Sequence, residues 1–183
     1  MLCSPLAIPG GLRLAGFFLS MGLSLGASAA TDALVEPQNL IVDRSLSTEQ
    51  ASASILAARR YDTFWHTGNE TYAREALAPT FIDKTPPAGR KQGPEGPLLA
   101  SRAFRQAVPD LTCVVEQMLV AGDRVVVHLR FRGHFSGTFD QLKGQGQAVE
   151  FIATDIYQVD QGKIVANWHI EDNLTLFKQL GAL

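Results

Sequence analysis

VEFIATDIYQVDQGKIVANWHIEDNLTLFKQLGAL, residues 149–183, holds two strand patterns, a turn and a helix pattern in close succession. Side chains of the first strand pattern alternate between two faces, so Asp155 shares a face with Ala153 and Tyr157. The segment Asp160–Lys163 predicts a tight turn whose glycine takes a positive φ. This stretch therefore predicts a hairpin with a carboxylate in the middle of an apolar strand.

The returning strand, predicted over residues 164–170, places Asn167 and His169 on one of its faces. Asp172 suits the N-cap of a closing helix that carries leucine and phenylalanine at helical spacing. Two ionisable side chains, Asp155 and His169, thus lie on neighbouring predicted strands within an apolar sequence.

Three features of this stretch resemble the C-terminal signature of SnoaL-like polyketide (ester) cyclases. They are Gln161–Ile164, Trp168, and Asp172 with the later run Leu-Phe-Lys-Gln-Leu-Gly. That family belongs to the NTF2-like superfamily. The resemblance implies an α+β cone in which a curved antiparallel sheet, three N-terminal helices and a short C-terminal helix enclose a pocket. It also implies a homo-oligomer, with the outer face of the sheet as the interface.

Composition describes a globular chain with an ordinary surface. The 183 residues are 46% hydrophobic and 19% charged, and the net charge is -2. Arginine and lysine are scattered, so no basic surface for nucleic acid or anionic lipid is predicted.

The N-terminus has the three parts of a signal peptide, predicted over residues 1–29. Arg13 precedes the apolar run 14–23, and small residues follow at Ala27–Ala30. We therefore expect export and no membrane association after cleavage. A membrane anchor and a wrongly chosen start site are the alternatives. Cleavage leaves Cys113 without a partner for an internal disulfide.

Residues 30–46 show no clear period and predict a linker or loosely packed arm, and the domain is predicted over 47–183. Ser47 and Gln50 fit a capping box at the start of the first helix, which Gly68 ends. Asn69 suits the N-cap of a second helix. This second helix is predicted over residues 70–77 and is stopped by Pro79, and a third helix begins at Pro97. Four strands are predicted, at residues 111–120, 124–135, 148–159 and 164–170.

Helices followed by antiparallel strands are the α+β pattern. A loop rich in proline and glycine, residues 84–96, precedes the third helix and is either a flap over a site or a solvated excursion.

Asp155 is the first candidate catalytic residue, because an unpaired carboxylate between apolar neighbours is costly. It is either a general acid or base whose pKa is raised by burial, or a structural partner of Arg130 or a tyrosine hydroxyl. His169 is the second candidate, and the alternative is a half-buried histidine bonded to a backbone carbonyl. If both side chains enter the cone, they can meet at hydrogen-bonding distance as an acid–base pair.

The resemblance to the cyclases adds a detail about this pair. The family's catalytic aspartate falls on His169 and its histidine falls on Asp155, so the two residue types are exchanged. The family also carries a polar residue near Asp83, which becomes the third catalytic candidate, with a turn role before the loop as the alternative.

Candidate substrate-binding residues fall into two groups. Arg130 and His134 share a strand face and either line the pocket or lie on an outward polar surface. Tyr61, Trp65 and Trp168 are predicted as pocket wall and core, because aromatic side chains at such spacing usually pack.

No zinc spacing, phosphate-binding glycine loop or serine nucleophile motif is present in the sequence, so we predict no metal and no cofactor. The resemblance implies proton abstraction next to the carbonyl of a small apolar substrate, as in an aldol-type ester cyclase or a related isomerase or hydratase. The alternative is a cone that holds a small apolar ligand without turning it over.

Overall fold

A computed structural model describes residues 33–183, and the predicted signal peptide, 1–29, lies outside the described residues. The helices are α1 (Thr48–Thr67), α2 (Glu70–Ala76), α3 (Glu95–Ala107) and α4 (Asn173–Leu180). The strands are β1 (Leu40–Val42), β2 (Leu77–Asp83), β3 (Thr112–Ala121), β4 (Arg124–Phe135), β5 (Thr138–Phe139), β6 (Leu142–Lys143), β7 (Gln147–Asp160) and β8 (Lys163–Glu171).

Six strands form one sheet in the order β1-β3-β4-β7-β8-β2. The pairs β3–β4, β4–β7 and β7–β8 are antiparallel, and the short edge strands β1 and β2 pair in parallel with β3 and β8. The strands β5 and β6 form a separate ribbon. The α+β class, with a curved and largely antiparallel sheet and four helices, is confirmed.

Local capping explains where α1 begins and ends. The Gln50 amide donates to Ser47 Oγ at 3.2 Å, and the Ser47 amide donates to Gln50 Oε1 at 3.1 Å. This reciprocal pair is the predicted capping box. Gly68 ends the helix at φ 77°, in the left-handed region that glycine adopts at little cost.

The hairpin between β7 and β8 is also as predicted. Its two central residues, Gln161 and Gly162, have φ values of 48° and 72°. Positive φ at both positions matches the twist of the flanking strands. A bulge at Val165 then shifts the pairing by one residue, so the turn and the bulge together place Asp155 directly opposite His169.

Two proline residues behave differently from the prediction. Helix α3 begins at Glu95, so Pro97 lies in its first turn, where backbone N–H groups have no intrahelical acceptor. Helix α2 ends at Ala76 and the chain continues as β2, which includes Pro79. A proline fits there because β2 is an edge strand.

The segment predicted as a linker or loose arm is paired where the structure describes it. Residues 40–42 form β1 against β3, and the Met118 amide donates to the Asn39 carbonyl at 2.8 Å. The Arg59 guanidinium on α1 donates to the carbonyls of Leu34 and Val35. A strand this short shows no period of its own, and long-range partners decide its conformation.

The sheet separates an inner from an outer face by simple alternation. On β7 the inner side chains are Phe151, Ala153, Asp155 and Tyr157, all buried. Asn167 and His169 on β8 lie opposite Tyr157 and Asp155. Helices α1, α3 and α4 pack over this face, and the core lies between them. None of the helices in the described part has the length and hydropathy that a membrane span requires.

Candidate active site

A cavity of about 250 Å³ opens between the inner face of the sheet and helices α1, α3 and α4. Its two ends differ in chemistry. Polar and charged side chains collect at one end: Asp83, Arg90, Asp155, Asn167, His169, Glu171 and Asn173. Apolar and aromatic side chains form the rest of the wall, among them Tyr61, Trp65, Phe104, Leu129, Phe131, Phe151, Leu176 and Phe177.

Asp155 lies on the wall of this cavity and is only 6% exposed. Its Oδ2 atom accepts hydrogen bonds from Asn167 Nδ2 at 3.2 Å and from the Tyr157 hydroxyl at 3.3 Å. No residue within 33–183 donates to its Oδ1 atom. One oxygen of the carboxyl is therefore held, and the other is left for a ligand.

His169 lies between two other carboxylates. Its Nε2 atom is 3.1 Å from both oxygens of Asp83, and its Nδ1 atom is 2.8 Å from Glu171 Oε1. Because both ring nitrogens face acceptors, the arrangement suits a protonated imidazolium. The expected contact between His169 and Asp155 is not formed, although both side chains line the cavity.

The reason lies in the neighbouring strands. Asp83 ends β2, which pairs with β8, so its carboxylate reaches His169 from the far side of β8. Glu171 lies two residues along β8 on the same face. The Asp155 carboxyl turns instead toward Asn167 and Tyr157. The imidazole therefore bonds to Asp83 from β2 and to Glu171 from its own strand, and not to the Asp155 carboxyl that lies opposite it on β7.

The charges around His169 decide its protonation. Burial by itself lowers the pKa of an imidazole, but the hydrogen bond to Glu171, the charges of Glu171 and Asp155 and the bond to Asp83 outweigh it. Together they raise the pKa of His169 to about 9. At neutral pH the ring is therefore a cation with a proton to give.

Asp155 also has a raised pKa, but here burial is the cause and the neighbouring charge of His169 opposes it. Burial raises the pKa of Asp155 to about 6, and the positive His169 and the hydrogen bond from Asn167 partly offset it. At pH 7 the carboxyl is mostly ionised, and it is a stronger base than an exposed aspartate. The cavity therefore places a base and an acid on facing strands.

The loop after β2 contributes a cation to this end of the cavity. Arg90 Nη1 is 3.6 Å from Asp83 Oδ2 and 3.4 Å from His169 Nε2. The loop is tied down by Thr85, whose hydroxyl bonds to the backbone of His169, and by Gln92, which bonds to the backbone of Asp83. Within residues 84–96, Pro87 and Arg90 line the cavity, and most of the other loop residues are exposed.

Aromatic side chains of α1 form one wall, as the helical spacing indicates. The Tyr61 ring contacts the rings of Trp65, Phe64 and Tyr157, and both Tyr61 and Trp65 line the cavity. Phe131 and Phe151 stack with ring centroids 5.0 Å apart on the sheet. This wall presents flat apolar surfaces to a ligand.

Three predicted substrate-binding residues lie outside the cavity, and for them the prediction is corrected. Arg130 pairs with Glu116 and Glu150 on the outer face. His134 pairs with Asp110, and 61% of its side chain is exposed. Trp168 packs under the Arg124 guanidinium, 5.5 Å from its ring. Strand alternation turns each of them away from the inner face.

Sequence reasoning missed Glu171 and Arg90. Glu171 follows His169 by two residues, so the period of two places both on one face, and this signal was available. Arg90 lies in an irregular loop whose path no local pattern predicts. Within residues 33–183, no set of three or more His, Cys, Asp or Glu side chains is arranged to hold a metal ion.

Comparison with known proteins agrees with this architecture. The family model for SnoaL-like polyketide cyclases matches residues 55–180. A structure described as a candidate polyketide cyclase from Bacillus cereus ATCC 10987 is 38% identical, with a TM-score of 0.76, over 84% of this chain and 97% of that one. A comparison with the curated proteins found no match.

Two more distant structures share the fold. IdmH, a candidate polyketide cyclase from Streptomyces antibioticus, is 26% identical, with a TM-score of 0.64, over 70% of this chain and 98% of that one. An LEH-like epoxide hydrolase from M. tuberculosis is 15% identical, with a TM-score of 0.54, over 72% of this chain and 91% of that one. The family match and the Bacillus cereus structure cover most of the chain, which therefore belongs to the SnoaL-like polyketide cyclase family.

Proposed function

We propose that this protein is an enzyme that removes a proton next to the carbonyl of a small, neutral, apolar molecule and guides the resulting enolate into ring closure or isomerisation. Asp155 is the base, and the imidazolium of His169 is the acid. One observation carries the proposal. The ionised Asp155 presents a free oxygen to an aromatic-walled cavity, opposite a ring that is held protonated by Asp83 and Glu171.

Each side chain has a distinct task. The carboxyl of Asp155 takes the proton from carbon. The Nε2–H group of His169 leaves its contact with Asp83 and donates a hydrogen bond, then a proton, to the oxygen on which negative charge develops. An aldol ring closure is an isomerisation, so one proton is taken and one is given. The reaction consumes no co-reactant.

The charge balance limits the substrate. Three carboxylates (Asp83, Asp155 and Glu171) face two cations (Arg90 and His169), which leaves one net negative charge at the polar end of the cavity. An anionic substrate is therefore disfavoured, because like charges repel in a desolvated site. A neutral ketone or ester fits this end, with its carbonyl oxygen toward His169.

The size of the cavity also limits the substrate. Its volume of about 250 Å³ lies below the roughly 300–1,000 Å³ of pockets that hold drug-sized ligands. The stacked pair Phe131 and Phe151 matches a flat apolar body. We expect a molecule of one or two rings with one reactive carbonyl.

Hydrogen–deuterium exchange next to a carbonyl tests the proposed reaction without knowledge of the natural substrate. The probes are neutral one-ring and two-ring β-keto esters in deuterated buffer, followed by NMR. We expect the protein to accelerate the exchange, and the Asp155→Asn variant to lose at least about 100-fold, the lower range for general base catalysis. Asp110→Asn is the matched control, because Asp110 lies outside the cavity wall.

Binding measured on the same samples separates an enzyme from a ligand carrier. Quenching of tryptophan fluorescence by the probes reports occupancy of the cavity, because Trp65 lies on its wall. Saturable binding without accelerated exchange by the wild type would contradict the enzyme and support the non-catalytic module. Full exchange activity in Asp155→Asn would contradict the assigned base.

We also propose that the protein is exported and forms a homo-oligomer. The signal-like pattern of residues 1–29 supports export, and half-exposed or exposed apolar side chains on the outer sheet face (Ile156, Trp168 and Ile170) support self-association. Fractionation of cells producing the chain with and without residues 1–29 tests export. Light scattering after size exclusion, with Ile170→Glu as the variant, tests association.

A further inference from the structure

A second carboxyl lies beneath Asp155, outside the cavity wall. Asp62 projects from α1 into the core and is 0% exposed. Its Oδ1 atom is 2.7 Å from the Tyr157 hydroxyl, and that hydroxyl is 3.3 Å from Asp155 Oδ2. The Oδ2 atom of Asp62 has no partner among residues 33–183. A tyrosine oxygen therefore stands between two carboxyl groups.

The hydroxyl of Tyr157 has only one hydrogen, so it cannot donate fully to both carboxyls. If Asp62 were ionised, it would be a fully buried charge with one hydrogen bond and one bare oxygen. Burial without compensation strongly disfavours a charged carboxylate. A neutral Asp62 avoids this penalty and becomes a donor.

The bare oxygen determines where the hydrogen of a neutral Asp62 lies. A hydrogen on Oδ2 would have no acceptor, so it lies on Oδ1 and is donated to the Tyr157 oxygen. The hydrogen of Tyr157 is then directed to Asp155. In this direction both contacts of the Tyr157 oxygen carry a hydrogen, and the unpartnered Oδ2 of Asp62 is a neutral carbonyl oxygen and not part of a buried charge.

We propose that Asp62 and Tyr157 are positioning residues whose one-way hydrogen-bond chain, Asp62 to Tyr157 to Asp155, holds Asp155 as an ionised base with Oδ1 toward the cavity. The role of Asp155 as a base rests on the proposed function. The hydrogen-bond chain itself is a property of the folded protein without ligand.

Two consequences follow for Asp155. Its Oδ2 atom receives hydrogen bonds from both Tyr157 and Asn167, which fixes the carboxyl plane and leaves Oδ1 to accept the proton. Hydrogen bonds to the charged form also favour ionisation, against the effect of burial. Burial raises the pKa of Asp62 well above its usual value, more than the bond to Tyr157 lowers it, which agrees with a neutral acid.

Other ionisable groups also face Asp155 and must stay constant in a test. They are Tyr157 on its own strand, Cys113 on β3, His169 and Glu171 on β8, Asp83 on β2, Arg90 on the loop, and Tyr61 and Asp62 on α1. Substitutions at Asp62 and Tyr157 leave all the others in place.

Carbon-13 NMR titration of the Asp155 carboxyl in the unliganded protein tests the chain directly. Tyr157→Phe removes the donor, so the pKa of Asp155 should rise by roughly one unit. Ser101→Ala, which removes a buried hydroxyl outside the cavity wall, should leave it unchanged. An unchanged pKa of Asp155 in Tyr157→Phe would overturn the proposal.

Asp62→Asn tests the direction of the chain and does not depend on the Phe variant folding. An amide N–H replaces the donor of a neutral Asp62, so the pKa of Asp155 should stay at its wild-type value. If Asp62 is instead an ion that takes the Tyr157 hydrogen, Asp62→Asn frees that hydrogen and removes a charge, and the pKa of Asp155 falls. A fall of this kind would overturn the proposed direction.

Infrared spectroscopy supplies a second readout of Asp62. A carboxylic-acid C=O stretch should be present near neutral pH in the wild type and absent in Asp62→Asn. Its absence from the wild type would overturn the proposal. These measurements require no turnover, so a protein without exchange activity would contradict the proposed function and leave the hydrogen-bond chain standing.

Discussion

At the scale of single residues, His169 controls the charge of the candidate site. Its side chain is 5% exposed, yet both ring nitrogens meet carboxylate oxygens. A neutral ring could donate to only one of them, so protonation satisfies the second as well. The site therefore stores a proton next to a base, and this pairing makes acid–base chemistry possible near neutral pH.

The two raised pKa values predict a bell-shaped dependence of kcat/KM on pH. Asp155 must lose its proton, with a pKa of about 6, and His169 must keep its proton, with a pKa of about 9. Activity should rise through the lower value, stay level, and fall through the upper one. NMR exchange assays quenched at fixed times between pH 4 and pH 11 measure the profile. A profile without an alkaline limb would contradict the role of His169.

Glu171→Gln should move the alkaline limb most, and it should also lower the acid limb a little, because the Glu171 charge raises the pKa of Asp155 as well. The Glu171 side chain bonds to Nδ1 of His169 and supplies a negative charge that raises its pKa. Without this charge, the limb should fall from about 9 toward the ordinary value of 6.5. Glu150→Gln on the outer face is the control, and a limb that stays in place in Glu171→Gln would show that other groups hold the proton.

At the scale of secondary-structure elements, pairing of β2 with β8 brings Asp83 to the site and continues into the loop. The Thr85 hydroxyl accepts from the His169 amide at 2.8 Å and donates to its carbonyl at 2.9 Å. The amide of Lys84 donates to the Asn167 carbonyl. These contacts extend the edge of the sheet past β2 and hold Arg90 over the cavity.

Thr85→Val should loosen this loop without unfolding the domain. Valine keeps the shape but loses both bonds, so amide hydrogen exchange of residues 84–94 should accelerate and probe binding should weaken several-fold. Mass spectrometry of the exchanged protein and fluorescence titration measure the two effects. Thr112→Val, which removes a hydroxyl bond to Arg132 elsewhere on the sheet, is the control. Unchanged exchange of the loop would contradict the role of Thr85.

At the scale of the whole molecule, the charge of His169 links stability to pH. The pKa of His169 is raised in the folded state to about 9 from 6.5, so the folded state binds the proton more tightly than the unfolded state. This stabilisation is present in full below pH 6.5 and is lost as pH rises through about 9. The raised pKa of Asp155 likewise stabilises the folded state at low pH, and this stabilisation is lost as pH rises from 3.8 through about 6.

The free energy of unfolding should therefore fall more steeply between pH 6.5 and 9 in the wild type than in His169→Gln. The difference should be at most on the order of 3 kcal/mol, because the pKa rises from 6.5 to about 9 and solvent screening reduces the effect. Urea unfolding at several pH values measures both proteins. Parallel curves for the two proteins would contradict a protonated His169 in the folded state.

Patterns in the sequence predicted much of this molecule because they act over a few residues. Alternation on β7 and β8 placed Asp155 and His169 on one face, and the caps at Ser47, Asn69 and Asp172 are formed as predicted. Alternation alone left open which face of β4 turns inward. The register of the sheet answers this and directs Arg130 outward.

By itself, the sequence determined the helices, the four long strands, the fold class and which side chains share a strand face, because these follow from side-chain period, capping and turn geometry within short segments. Only the tertiary structure decided the partners at the site. Asp83 and His169 are 86 residues apart, and Asp62 and Tyr157 are 95 residues apart. Such contacts depend on strand order and helix packing. No local pattern shows which of several carboxylates will bond to His169 or to Tyr157, because that depends on which side chains the folded chain brings within reach.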